Sequence, residues 1–260
     1  MTTCSLNAPH FKMHPGAPAE PVLAAWGIDT CSKPVFVGLG PTAAESTDAW
    51  DEFLADLAAR GLRAPLLVIS DGAPGLISAA ELHFSRSLRQ RCLIHRLRNA
   101  LAKVSATDQD AFKAGWWAVF DGIDEGPGEA AVGEAARRAG AFAATWERRY
   151  PSAVACLMDD LPSLSVHLRF PSEHWRRIRH SNFIERTFGE TRRWVKVIGG
   201  LPGEHSCLSL VWAVLDRASR GWRGLTQTPA GLRLLQDLRR DLLGPPKAKE
   251  VIDEAVSPAA

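Results

Sequence analysis

Residues 66–99, LLVISDGAPGLISAAELHFSRSLRQRCLIHRLRN, pass from a predicted strand to a helix, back to a strand and into a second helix. The stretch opens with four apolar residues, Leu66–Ile69, bounded by Pro65 and by a Ser-Asp-Gly turn. A short apolar run with β-branched residues and a turn behind it is typical of a buried strand in a parallel sheet. Asp71 follows this strand directly, at the edge where open α/β sheets place their chemistry. The stretch therefore predicts an α/β fold organised around Asp71.

The rest of this stretch predicts a helix, a second strand and a basic helix. From Gly75 onward, apolar residues recur at helical spacing. They are Leu76, Ile77, Ala80 and Phe84. The second strand is predicted over residues 88–93, which include Cys92, and His95 opens a helix rich in arginine.

The residues before this stretch predict three strands and a helix. Residues 5–13 form a short strand with Asn7 near its middle, and residues 22–28 and 34–39 form a hairpin. An amphipathic helix begins near Ser46. Its apolar face carries Trp50, Phe53, Leu54 and Leu57, and Gly61 is its stop. Three strands before the first helix predict a mixed sheet.

The residues after the stretch are predicted to be largely helical. Residues 103–168 show no convincing strand pattern, and a helix rich in Trp and Leu is predicted over residues 206–220. The residues beyond Pro245 have the composition of a flexible tail.

The composition is that of an ordinary soluble globular protein. Of the 260 residues, 46% are apolar and 23% are charged. No apolar run approaches the length of a membrane span, and the N-terminus lacks the layout of a signal peptide. Five scattered cysteines argue against a disulfide framework. These features predict a cytoplasmic protein that does not associate with membranes.

Basic residues are concentrated in two blocks although the net charge is only +2. Residues 85–103 contain six basic residues and no acidic one, and residues 169–196 contain eight basic and three acidic residues. Two such blocks in a nearly neutral chain indicate a surface that binds a polyanion. Solvated helix faces are the alternative interpretation.

Three groups of residues are candidates for chemistry, and each has a purely structural alternative. Asp71 is also placed as a helix N-cap, and Asn182 and Glu185 have the spacing of a capping box. Cys92 and His95 have the spacing of half a zinc site. The remaining zinc ligands would be His205 and Cys207. The alternative is a buried cysteine beside a hydrogen-bonded histidine.

The joint order of these motifs resembles the catalytic core of the Mutator-type bacterial insertion-sequence transposases. The motifs are VISDGAPGL at residues 68–76, RQRCLIHRLRNALAK at residues 89–103 and RIRHSNFIERTFGETRR at residues 177–193. The resemblance extends from about Leu6 to Trp222. It implies a DNA transposase that cleaves and transfers DNA strands, using two Mg²⁺ ions for which Mn²⁺ can substitute.

The resemblance also implies a ribonuclease-H-like fold, in which a mixed sheet is flanked by helices and an all-helical insertion precedes the last catalytic carboxylate. On this basis residues 1–102 are the first part of the catalytic core and residues 103–168 are the insertion. Residues 169–224 complete the core with the final glutamate helix, and residues 225–260 are a C-terminal helix and tail.

The resemblance assigns roles to individual residues. Asp71 and Glu185 match the second and third catalytic carboxylates and would bind the metal, and Cys92 and His95 match a signature pair near the site. The residues expected to contact DNA are Arg91, Arg96, Arg98, Arg186, Arg192, Arg193 and Lys196.

The sequence departs from the family pattern at the first carboxylate. Asn7 occupies that position, and its amide oxygen can bind Mg²⁺ but brings no charge. Asp29 is the nearest alternative acid. The family's N-terminal DNA-recognition region is also expected to be absent. Two interpretations stay open: a working transposase core, or one rescued by partner subunits, and a catalytically inactive DNA-binding remnant that interferes with an intact relative through mixed oligomers. The resemblance also implies a homo-oligomer.

Overall fold

A six-stranded mixed sheet forms the centre of the molecule. The computed structural model describes residues 1–14, 16, 18–181, 187–193, 203–222 and 224–244. The strands are β1 (Thr3–Asn7), β2 (His10–Phe11), β3 (Glu20–Ile28), β4 (Pro34–Pro41), β5 (Leu67–Ser70) and β6 (Leu88–Arg91). The prediction of a mixed α/β fold is confirmed.

The sheet joins an antiparallel half to a parallel half through β1. Strand β3 pairs antiparallel with β1, β2 and β4. Strand β1 pairs parallel with β5, and β5 pairs parallel with β6. The predicted hairpin of β3 and β4 and the predicted parallel strand after Pro65 are therefore confirmed.

Two predicted strands end earlier than the sequence indicated. Asn7 is the last residue of β1 rather than the middle of a longer strand, because Pro9 has no N–H to continue the ladder. Strand β6 ends at Arg91, so Cys92 lies just beyond it. The Cys92 N–H still donates to the Ser70 carbonyl at 2.7 Å, while the Cys92 carbonyl already accepts the helical N–H of Arg96. Cys92 is thus the junction between strand and helix, and the helix begins two residues before His95.

The described helices follow the strands in this order: α1 (Thr47–Ala59), α2 (Pro74–His83), α3 (Leu93–Leu101), α4 (Gln109–Phe120), α5 (Glu129–Trp146), α6 (Pro151–Met158), α7 (Leu161–Leu164), α8 (Trp175–Ile178), α9 (187–193), α10 (Glu204–Ser219) and α11 (Pro229–Leu243). Short 3₁₀ helices lie at Ala106–Asp108, Val166–Arg169 and Ser172–His174. None of the helices that the structure describes is long and apolar enough to cross a membrane.

Helix α1 has the predicted bounds and the predicted buried face. The Ser46 hydroxyl accepts the N–H of Ala49 at 3.1 Å, which satisfies one of the free donors of the first turn. Gly61 has a φ of +99° directly after the helix, a conformation that glycine adopts without strain. The buried residues are Trp50, Phe53, Leu54 and Leu57, as their spacing predicts.

The two faces of the sheet are covered by different helices. Helices α1 and α2 pack on the face that carries Leu6 and Val68. On the opposite face, α9 and α10 cover the antiparallel half around Ala24. Helices α8 and α11 cover the parallel half around Ile69. The carboxyl edge of the parallel strands therefore lies beside helices from the last third of the chain.

The helices between residues 106 and 169 form a block with its own apolar core. The core centres on Phe112, whose ring lies 4.9 Å from that of Phe142 and 5.4 Å from that of Trp146. Helix α3 contributes Leu93 and Leu97 to the same core. Residues 103–168 are all described and contain no strand, as predicted.

A buried polar contact fixes this helical block to the sheet. The Gln90 side chain, fully buried on β6, donates to the Leu164 carbonyl at 2.9 Å and accepts the N–H of His167 at 2.7 Å. Burial, with a smaller effect from the charge of Arg179, lowers the pKa of His167 from its usual value of 6.5 to about 3. His167 is therefore neutral in the folded protein at physiological pH.

We predict that Leu54→Ala lowers the free energy of unfolding by about 2–5 kcal/mol, because it leaves a cavity under the sheet. Leu82→Ala is the matched control. Leu54 is 0% exposed and Leu82 is 70% exposed, so the control should change the free energy by less than about 0.5 kcal/mol. Urea unfolding measures both values, and equal losses would contradict the packing described for α1.

We predict a loss of stability at acidic pH that depends on His167. Its folded pKa lies below the unfolded value of 6.5, so its contribution is complete above pH 6.5 and is lost as the pH falls toward 3. The loss near pH 4 should be about 3 kcal/mol. His167→Gln should reduce this loss in urea unfolding, whereas Leu82→Ala, which changes an exposed residue that does not titrate, should not. An unchanged pH dependence in His167→Gln would show that His167 protonates freely in the folded state.

Candidate functional site

The carboxyl ends of the three parallel strands bring predicted site residues together. Ser5 of β1 pairs with Ile69 of β5, and continuing this register by two positions places Asn7 level with Asp71. The β5–β6 register, continued by one position, places Cys92 level with Asp71. Neighbouring strands lie about 4.8 Å apart. Asn7, Asp71 and Cys92 are therefore consecutive positions along one edge of the sheet.

Asn7 and Asp71 also belong to the same face of the sheet. Side chains alternate between faces along a strand, so residues two apart point to the same face. Asn7 therefore shares the face of Ser5, and Asp71 shares the face of Ile69. Ser5 and Ile69 both line a cavity of about 40 Å³ on the face covered by the C-terminal helices. Ser181 lines the same cavity, which places the chain just before residue 182 on this face.

The loop after β5 is shaped by Asp71 and Gly72. One oxygen of Asp71 accepts the N–H of Ala73 at 3.1 Å, so Asp71 orders the turn into α2 although Ala73, not Asp71, is the N-cap residue. Gly72 has a φ of +94°. A Cβ there would lie 2.6 Å from Nε of Arg91, so only glycine allows this close approach.

Asn7 is buried, with 6% of its surface exposed, and its Nδ2 has no hydrogen-bond partner among the residues that the structure describes. An amide donor that is buried without an acceptor is unfavourable. The NH₂ group of the amide cannot ligate a cation, so only its oxygen could do so. Of Asn7 and Asp71, only Asp71 offers a carboxylate. A hard cation needs more oxygen ligands than these two side chains provide. Within the described ranges, no three acidic, His or Cys side chains form a metal cluster. The described residues alone do not fit a divalent-cation site, and Glu185, together with Arg186 and Lys196, lies outside them.

Cys92 and His95 form a polar contact at the same edge. Burial favours a raised pKa of the Cys92 thiol, but hydrogen bonding and charge from His95, with the N–H groups of His95 and Ser181, lower the pKa overall. The thiol sulfur also accepts the N–H and the hydroxyl of Ser181, both at 3.5 Å. Cys92 therefore contacts both His95, the other member of the signature pair, and Ser181, which precedes the segment that contains Glu185.

The two alternatives to this arrangement are not supported. His205 and Cys207 do not complete a zinc site with Cys92 and His95, since no such cluster occurs among the residues with described positions. Asp29 accepts backbone N–H groups in the β3–β4 turn. Because β3 is antiparallel to β1, this turn lies at the end of the sheet opposite to Asp71.

The arginines predicted to contact DNA occupy two kinds of position. Arg91 and Arg96 are each 17% exposed, and both bind Asp160, at 2.7 and 2.6 Å. They tie β6 and α3 to the helical block. Arg98, Arg192 and Arg193 are exposed, and Arg193 pairs with Glu190 at 3.2 Å.

Sequence reasoning missed Gln90, Asp160 and Ser181, which hold the site together. The acidic partner of Arg91 lies 69 residues further along the chain. The sequence around Arg91 and Arg96 contains no acidic residue, so it gives no local signal of this ion pair.

Comparison with known proteins identifies the family of the chain. The family described as "Transposase, Mutator family" matches residues 14–224. The chain is 30% identical to the transposase for insertion sequence element IS6120 of Mycolicibacterium smegmatis, over 83% of this chain and 65% of that protein. It is 31% identical to the transposase for IST2 of Acidithiobacillus ferrooxidans, over 91% of this chain and 79% of that protein. It is 30% identical to the transposase for ISRM5 of Rhizobium meliloti, over 78% of this chain and 50% of that protein.

These relatives differ in length from the chain, which spans between 50% and 79% of them. The family match covers most of the 260 residues and includes Asp71 and Cys92. The protein belongs to the Mutator family of transposases.

Proposed function

We propose that this chain is the catalytic core of a DNA transposase that moves an insertion sequence. The observation that supports this most strongly is the parallel register of β1 and β5, which, continued by two positions beyond Ser5 and Ile69, sets Asn7 level with Asp71. The chain is also tied to this edge by Ser181, directly before the segment that contains Glu185. The relatives named above are transposases for insertion sequences.

Glu185 is proposed as the third residue of the site. It is four residues from Ser181, which contacts Cys92, and two residues from Thr187. On the far side, Phe188 packs against Phe11, with ring centroids 6.3 Å apart. A two-residue connection spans at most roughly 7 Å. The described residues before and after this segment thus contact Cys92, just beyond β6, and Phe11, on β2.

The fold proposed for the chain is ribonuclease-H-like. Three antiparallel strands, β4, β3 and β1, are followed across the sheet by the two parallel strands β5 and β6. The helical block at residues 106–169 precedes Glu185 in the chain and has a separate core. The division into 1–102, 103–168, 169–224 and 225–260 stays a prediction that rests on this arrangement. A cytoplasmic location stays a prediction from the sequence.

The metal requirement of the lineage is proposed to be Mg²⁺, with Mn²⁺ as a substitute. In this chain, Asp71 and Glu185 would be the carboxylate ligands, and Asn7 would offer a neutral oxygen. Two divalent cations beside a phosphate need several negative charges close together. We therefore infer that this chain binds the ions weakly and cleaves DNA poorly.

This weakness supports a second candidate function. A chain that binds DNA and pairs with intact copies, but does not cleave, would interfere with transposition by forming mixed oligomers. Asn7 is the residue that favours this alternative, because its buried amide replaces a charged ligand. Strand cleavage by the parent chain, compared with Asn7→Asp, distinguishes the two functions.

We predict that Asn7→Asp tightens the binding of Mn²⁺ by about tenfold or more, because it adds a charged oxygen ligand beside Asp71. Without metal, the new carboxylate is buried and should lower the melting temperature. Added Mn²⁺ should raise the melting temperature of the variant again. Isothermal calorimetry and thermal unfolding with added Mn²⁺ measure the two effects.

The control for this prediction is the double variant Asn7→Asp, Asp71→Asn. It should not show the increase in Mn²⁺ affinity expected for Asn7→Asp alone. Equal Mn²⁺ affinity of the parent and the Asn7→Asp variant would place the first carboxylate elsewhere.

We predict that replacing Arg192 and Arg193 by Ala weakens DNA binding and reduces the slope of log K against log salt by nearly 2, if each contacts one phosphate. The matched control replaces Arg148 and Arg149, also an exposed adjacent pair, and should leave the slope unchanged. Fluorescence anisotropy with duplex DNA at several salt concentrations measures the slope. An identical slope for the parent and the Arg192/Arg193 variant would exclude these residues as phosphate contacts.

A further inference from the structure

Residues 179–181 are held from two sides just before the segment that carries Glu185. On the backbone side, the N–H of Leu93, the first residue of α3, donates to the Arg179 carbonyl at 3.0 Å. The N–H and hydroxyl of Ser181 both donate to the Cys92 sulfur at 3.5 Å. Three hydrogen bonds thus join this short segment to the junction of β6 and α3.

The Arg179 side chain fixes the same segment to the helical block. Its guanidinium binds Asp121 at 2.6 Å and lies 4.7 Å from the ring centroid of Trp117. The side chain is only 12% exposed. The partner carboxylate of Asp121 is 43% exposed, so the ion pair itself is partly solvated. The stacking of the shielded guanidinium on the Trp117 ring adds a second contact that holds Arg179 in place. The segment therefore cannot shift without breaking contacts to both the sheet and the helical block.

The location of these contacts gives them a consequence for the site. Cys92 is level with Asp71 in the register of the parallel strands. Ser181 lines the cavity that Ser5 and Ile69 also line, on the face that Asn7 and Asp71 share. The point at which the segment is fixed is therefore at the same edge, one strand away from Asp71.

We propose that Cys92 and Arg179 are positioning residues, which hold Ser181 at the carboxyl edge and thereby set where Glu185 stands relative to Asp71. This inference rests on the proposed function, in which Glu185 is the third member of the site. It assigns the cysteine of the signature motif a role as a hydrogen-bond acceptor for the chain that carries the last carboxylate. It also makes the helical block a part of the support for that carboxylate.

Cys4 is a buried cysteine of the same sheet that, within the described ranges, contacts no such segment, so its surroundings can be compared with those of Cys92. Cys4 is also fully buried, but it lies in the apolar core on the opposite face. Desolvation raises the pKa of its thiol to about 12, whereas donors around Cys92 lower the pKa of that thiol. The polar surroundings of Cys92 are thus specific to its position beside Ser181 and His95.

The first test measures amide hydrogen exchange of peptides that cover residues 179–188 in the full chain. Cys92→Ala removes the acceptor of two hydrogen bonds and should accelerate exchange there by about tenfold. Cys92→Ser keeps an acceptor and should stay close to the parent. Cys4→Ala is the matched control and should leave this region unchanged. Asp121→Asn and Ser181→Ala, which each remove one contact, should give smaller accelerations and serve if Cys92→Ala does not fold.

The outcome of this exchange experiment decides the inference. Acceleration confined to residues 179–188 and reversed in Cys92→Ser supports it. Unchanged exchange there in Asp121→Asn and Ser181→Ala overturns it. Uniform acceleration over the whole chain in Cys92→Ala also overturns it, because it shows that the cysteine only fills the core.

The second test separates this inference from the proposed function by measuring Mn²⁺ binding in the Asn7→Asp background. Adding Cys92→Ala should weaken Mn²⁺ binding by about tenfold, as expected for a group that orients a ligand. Adding Glu185→Gln should weaken it at least as much. If Glu185→Gln has no effect, the proposed site fails. If Glu185→Gln weakens binding and Cys92→Ala does not, the positioning role alone fails.

Discussion

The parallel pairing of β1 with β5 and of β5 with β6 is the constraint on which the rest of the structure depends. It sets Asn7, Asp71 and Cys92 side by side although they are far apart in sequence. The ladder is continued past the last strand residue by the hydrogen bond from the Cys92 N–H to the Ser70 carbonyl. Everything that reaches the candidate site, from the turn at Gly72 to the chain at Ser181, is attached to the ends of these three strands.

Polar contacts, rather than a shared apolar core, attach the helical block to the sheet at β6. Gln90 satisfies groups of Leu164 and His167 inside the protein, and Arg91 and Arg96 converge on Asp160. A buried polar group is favourable only when its partners are in place. These contacts therefore specify one orientation of the block, whereas Leu93 and Leu97 of α3 contribute apolar contacts to its core.

Local patterns in the sequence predicted what depends on local physics. Apolar spacing and the cap at Ser46 gave α1 its bounds, and the apolar run before Asp71 gave a buried parallel strand. The predicted ends of β1 and β6 were wrong. Strand β1 stops before Pro9, which has no N–H for the ladder, and β6 stops where the Cys92 carbonyl already accepts a helical N–H. The ion pairs of Arg91 and Arg96 with Asp160 could not be predicted, because Asp160 lies more than 60 residues away in the sequence. The DNA contact predicted for both arginines stays a prediction. The motif order indicated the family, but only the fold shows that Ser181 meets Cys92.

Helix α3 has a consequence for how the family diversifies. It starts at the candidate site with Cys92, and its buried residues Leu93 and Leu97 belong to the core of the helical block. The block is therefore not an independent cassette. A chimera that exchanged the helical block between relatives would have to carry β6, α3 and the segment at Arg179 with the block. Otherwise it would lose the contacts of the block with the sheet and with the segment at Arg179. Recombination between such elements is thus constrained to exchange these three pieces together.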